Sequence, residues 1–250
     1  MSAKVESLPT RAVPSIDDVF ELFLKDQRKR LKPRTFSRDE RIVQLLQRYL
    51  NGYAYQSLAK AEARFFDRHF NADGAEHREF TQLFGPEKVL EHLEGFLGVF
   101  MIRKVIASED LKRSAGTVTK KLSTWLAESG YVSKEDANDG ATRSAEAGKE
   151  LVVAERAARL LHDASERLRI DTLALDDEDY EEFDHFTIAR VEPGRLWLQV
   201  WEEGKPLARG PIRVPVGATK LLEKGWDVSC ALARVRGRWH LVEVANVYPL

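Results

Sequence analysis

Apolar residues recur at helical spacing through the first two-thirds of the chain, and from His185 they recur at every second position. The first helix is expected to open at Ser15, a good N-cap, with Asp17 and Asp18 in its positive first turn and Ile16, Val19, Phe20 and Phe23 as its apolar stripe. After Pro33, "SRDE" (Ser37 to Glu40) has capping-box spacing, and Ile42, Leu46 and Tyr49 form the buried side of a second helix that stops near Asn51-Gly52. A third helical region runs from Gln56 to about Phe70. A fourth runs from Pro86 through "EKVLEHLEGFLGVFMIRKVI", where Gly95 and Gly98 point to close helix packing. A fifth is capped by Ser114 and closed by Gly130. Its Val118, Leu122, Trp125 and Leu126 share one side, and Thr117, Lys120, Lys121 and Thr124 share the other.

Ser133 to Lys149 holds small and polar residues with little to bury and reads as a linker. One more helix follows, roughly Glu150 to Arg169, and then the acidic run "DDEDYEEFD" as a solvated connector. Five strand candidates come next: "HFTIARV", "RLWLQVW", "PIRVPV", "DVSCALARV" and "RWHLVEVANVY". Turns at "EPGR", "EEGK" and "RGR" separate them, with a single helical turn in "GATKLLEKG". The expected fold class is therefore multidomain α and β: an N-terminal helical bundle (1–132), a connecting region (133–184) and a small antiparallel β-barrel (185–250), OB-like or SH3-like.

Composition leaves this picture intact. With 250 residues, 43% hydrophobic and 32% charged, the chain is long enough to bury cores in two domains. Its single cysteine, Cys230, excludes an internal disulfide framework and fits a cytoplasmic protein. The start has no signal-peptide core, and no apolar run reaches membrane-spanning length, so no membrane partner is expected.

Charge changes the picture more. The net value of -1 hides 23 basic against 18 acidic residues in 1–134, 6 against 16 in 135–185, and 10 against 6 in 186–250. Two basic blocks flank an acidic connector, a distribution shared by nucleic-acid-binding proteins and by chains with merely solvated basic faces. In the second helix Arg34, Arg38, Arg41 and Arg48 fall within about 80° of the wheel, although Leu45 shares that sector. In the fifth, Lys112, Arg113, Thr117, Lys120 and Lys121 supply basic and hydroxyl groups for phosphate. In the barrel, Trp197 and Trp201 share a strand face. With Trp239, Arg234, Arg236 and Arg238 they make either a base-stacking surface or part of the core.

Two segments carry a resemblance. "LKPRTFSRDERIVQLLQRYLNGY", followed by "SAGTVTKKLSTWLAESGYV" and "KEDAN", resembles the N-terminal core-binding, SAM-like domain of tyrosine recombinases and phage integrases. The matching positions are Pro33 and Thr35, then Thr117, Leu122, Ser123, Leu126, Gly130 and Tyr131, within Ser15 to Asn138. The resemblance implies a helical domain that clamps duplex DNA mainly through backbone contacts. It does not extend to the family's catalytic domain: there is no H-x-x-R element, and Tyr248 lacks the context of a nucleophile.

Other chemistry is weakly signalled. His69 and His77 lack metal-site spacing, "GFLG" lies within a helix, and Cys230 has no nominated base. No catalytic residue, metal or cofactor is expected. The leading expectation is a non-enzymatic DNA-binding protein, with duplex ahead of single strand and a barrel that contacts nucleic acid or a protein partner. The alternative is a protein–protein scaffold that binds no nucleic acid.

Overall fold

The computed structural model describes residues 14–105, 109–168, 170–202 and 204–249. It has helices in its N-terminal part and a curled antiparallel sheet, a half-barrel, at its C-terminus. The chain divides into two compact units, Met1–Leu93 with Lys121–Ala141, and Glu94–Lys120 with Thr142–Leu250.

In the first unit, α1 (Ile16–Arg30) opens on a capping box. The Asp18 amide donates to the Ser15 hydroxyl at 3.2 Å, and the Ser15 amide donates back to the Asp18 carboxylate at 2.9 Å. Hydrogen bonds from the Ser15 hydroxyl and then its backbone amide hold the Asp18 carboxyl below its usual range. α2 (Pro33–Tyr53) begins four residues before the expected Ser37. Proline at the first helical position loses no hydrogen bond, because that N–H has no intrahelical acceptor. Ile16, Phe23, Ile42, Leu46 and Leu50 are fully buried, and Gln47 ties α2 to Asp17 of α1 at 2.7 Å.

α3 (Lys60–Phe70) and α4 (Phe80–Leu83) complete the aromatic side of this core. The fourth expected helix is broken into α5 (Glu87–Glu91), α6 (Leu93–Gly95), a π-helical turn Phe96–Phe100, and α7 (Met101–Arg103). At the first break His92 donates from Nδ1 to the Lys88 carbonyl at 2.8 Å and meets the Ser57 hydroxyl through Nε2 at 2.7 Å. Gly95 and Gly98, each worth about 1 kcal/mol against an α-helix, flank the start of the π-turn and sit within it.

α8 (Glu109–Glu128) starts before Ser114, which is therefore no cap: its hydroxyl donates to the Asp110 carbonyl one turn back, at 2.6 Å. The helix ends in a Schellman arrangement, Tyr131 N–H to Leu126 O and Gly130 N–H to Ala127 O, with Gly130 at φ 77°. Val118, Leu122 and Leu126 are buried, and Trp125 packs edge-on to Phe23 at 5.5 Å.

The expected linker is not a linker. Residues 134–166 form one helix, α9 (Lys134–Glu166), capped by the Ser133 hydroxyl on the Asp136 amide. Ala137, Gly140, Ala141, Ser144, Ala147 and Gly148 are a buried stripe of small residues. They have little bulk of their own to bury: Gly140 admits the Leu90 side chain, and Gly148 meets the Gly116 backbone.

In the second unit the sheet order is β3-β2-β1-β4-β5, with β6 paired to β4. The strands are β1 (Tyr180–Glu192), β2 (Arg195–Glu202), β3 (Lys205–Arg213), β4 (Asp227–Val235), β5 (Arg238–Val242) and β6 (Val247–Tyr248), all antiparallel pairs. The single helical turn expected in "GATKLLEKG" is α10 (Val216–Thr219). Ala154, Ala157, Ala158 and Leu161 of α9 join Phe186, Ile188, Leu198, Ile212, Val228 and Leu232 in one core. The apolar stripe of α9 thus fills the concave side of the sheet, which is why helical residues group with the strands. The acidic run is partly structured. Asp179 pairs with Arg234 at 2.5 Å and Glu181 with Arg209 at 2.8 Å, and β1 begins at Tyr180 rather than His185.

Candidate nucleic-acid interface

Two glycines set the geometry of the main candidate site. A Cβ on Gly116 of α8 would lie 2.8 Å from the Gly148 Cα of α9, and the reverse substitution meets the same distance. The helices therefore touch backbone to backbone at this crossing, and the side chains on either side of it are brought close together.

On α8, Arg113, Thr117 and Lys120 are spaced i, i+4, i+7 and are all exposed. On α9, Lys149 and Arg156 repeat the i, i+7 spacing. These five side chains line a groove of about 630 Å³ beside the glycine contact, with Ala145, Val152 and Val153 as its apolar wall. Among the described residues that line it there is no carboxylate. Thr117 donates its hydroxyl to the Arg113 carbonyl at 3.3 Å. Arg113, Lys120, Lys149 and Arg156 thus set four cations around an apolar crevice.

Sequence reasoning found the α8 half of this groove and missed Lys149 and Arg156. The signal was present: residues 145, 148, 149, 152, 153 and 156 follow one helical face. It was hidden because the first part of this face was read as linker.

Two expected phosphate contacts are employed elsewhere. Lys112 is buried and pairs with Glu155 of α9 at 2.8 Å, so its ammonium ties the two helices together. Lys121 reaches Asp39 of α2 at 2.6 Å, and the Asp39 side chain is only 2% exposed. Lys121→Ala is expected to cost about 3 kcal/mol in chemical denaturation, because it leaves a buried carboxylate unpaired. The double variant Asp39→Asn with Lys121→Met is expected to recover most of that. Equal stability of Lys121→Ala and wild type would disprove the role.

The arginines of α2 lie in the first unit. Arg34, Arg41 and Arg48 are exposed, and Arg38 is half-buried. In the half-barrel Trp197, Trp201 and Trp239 separate. The Arg190 guanidinium covers Trp197 at 4.8 Å, and Arg209 and Arg234 cover Trp239 at 4.9 and 5.7 Å. Those two rings already stack with the chain's own cations, whereas Trp201 is 68% exposed. Arg236 and Arg238 stand exposed at the β4–β5 turn. Burial, then the charges of Arg238 and Arg213, push the His240 imidazole below its ordinary value.

Cys230, His69 and His77 are held within the fold. Cys230 is fully buried, and burial pushes its thiol up, away from nucleophilic chemistry. His69 and His77 donate from Nδ1 to the carbonyls of Phe65 and Phe70. Among the described residues no helix is long and apolar enough to cross a membrane. No family model, curated protein or solved structure matches the chain.

Proposed function

We propose that the protein binds duplex DNA without catalysing a reaction on it, through the groove beside the Gly116–Gly148 contact. The observation that carries this reading is the convergence of Arg113, Lys120, Lys149 and Arg156 on the walls of one groove. Guanidinium and ammonium groups of this kind neutralise backbone phosphates, and such contacts give affinity with little sequence preference. The resemblance of Ser15 to Asn138 to a core-binding domain agrees with the reading, as does the exposed Arg34, Arg41 and Arg48 face of α2.

Four phosphate contacts give a log–log salt slope of about -3.6 for a nonspecific duplex of roughly 20 base pairs. Fluorescence anisotropy between about 50 and 200 mM salt measures it. Absence of binding at the low end, or binding without salt dependence, would rule the reading out.

A further inference from the structure

The half-barrel leaves a gap in its own sheet. On one side β1 pairs with β4 from Tyr180 to Thr187. On the other its ladder with β2 begins only at Thr187, opposite Gln199. Tyr180 to Phe186 therefore have one edge without a strand partner among the described residues. Among the described residues Trp201 and Glu202 of β2 are likewise paired only with β3. The two strands diverge into a wedge of about 410 Å³, lined by residues 180–187 and 199–201. Unpaired strand edges of this kind accept another strand.

The wedge differs chemically on its two faces. Asp184 and Glu181 stand opposite Cys230 and Leu232, which are core residues, so both carboxylates belong to the concave face. Trp201 follows the buried Val200, so its ring belongs to the convex face. Phe183, 47% exposed, lies in the β1 irregularity between Glu181 and Asp184. Glu182 is a further exposed carboxylate. Two cations adjoin the wedge: Arg209 pairs with both Glu181 and Glu202, and Arg103 donates to His185 Nε2 at 2.7 Å.

We infer that this wedge is a docking site for an extended basic segment of a protein partner, one whose side chains alternate between lysine or arginine and apolar residues. Main-chain hydrogen bonds to the open edge of β1 supply the register. The alternate side chains of the added strand meet carboxylates on one face and Trp201 on the other. Charge complementarity selects this occupant: an acidic strand is repelled, and a second copy of β1 brings the same carboxylates against themselves.

The probe is an acetylated, amidated eight-residue alternating Lys-Val peptide, with the Glu-Val peptide of equal length as comparison. Hydrogen exchange on the full chain is expected to show the amides of 182–185 slowed at least tenfold by the Lys-Val peptide alone. Trp201→Ala and Glu182→Lys, both at exposed positions, are each expected to weaken binding about tenfold. Lys120→Glu with Lys149→Glu leaves it unchanged, which separates this site from the DNA groove. Equal binding of both peptides, or no slowing at 182–185, overturns the proposal. So does slowing that depends on protein concentration without peptide, which would assign the edge to a second copy.

Discussion

Lys120→Glu combined with Lys149→Glu is expected to lower affinity for a nonspecific duplex about 100-fold at roughly 50 mM salt, and to reduce the salt slope by about two. Each substitution removes a cation that faces the groove and sets a carboxylate against phosphate, at about 1.4 kcal/mol or more apiece. Both side chains are exposed, and the unfolding midpoint of the double variant, measured alongside, separates lost binding from lost stability. The decisive control is Arg34→Glu with Arg41→Glu on α2. If that pair abolishes binding while the groove pair has no effect, the interface belongs to the first unit and the groove assignment fails. Unchanged affinity and slope in both variants would remove DNA from consideration.

Gly116→Val is expected to destabilise the second unit by about 3 kcal/mol or more, read as a lowered denaturant midpoint at unchanged slope. Replacing a mid-helix glycine ordinarily stabilises by up to about 1 kcal/mol, because the unfolded chain loses freedom. Here the first carbon of the new side chain meets the Gly148 backbone at 2.8 Å and the Ser144 carbonyl at 3.3 Å. Backbone does not rotate away as a flexible side chain does, so the helices must part, and the steric cost wins. The same separation pulls Arg113 and Lys120 away from Lys149 and Arg156, so DNA affinity falls even below the unfolding transition. A Gly116→Ala variant more stable than wild type would show that the crossing is looser than drawn.

These predictions concern residues that periodicity read unequally. α1, with its Ser15 cap and its Ile16, Val19, Phe20 and Phe23 stripe, was legible because capping chemistry and apolar spacing agree locally. The strands after His185 were legible for the same reason, since alternation and turn residues coincide. Lys149 and Arg156 were not, because a helix whose buried face is Ala, Gly and Ser carries little hydrophobic signal. Lys112 and Lys121 were legible as basic but not as occupied. Their carboxylate partners stand 43 and 82 positions away in the chain.

The sequence by itself determined where most of the helices and strands lie, that the fold joins a helical bundle to a curled sheet, and that Thr117, Lys120 and Thr124 of α8 face outward. Those features follow from interactions within a few residues: caps, turns and the period of apolar side chains. Only the tertiary structure decided that Gly116 meets Gly148, that Asp39 claims Lys121, and that β1 and β2 part before Thr187. The parting is an irregularity within alternating strands, and the other two bring together groups 32 and 82 positions apart. Distance of that kind leaves no periodic mark in the sequence.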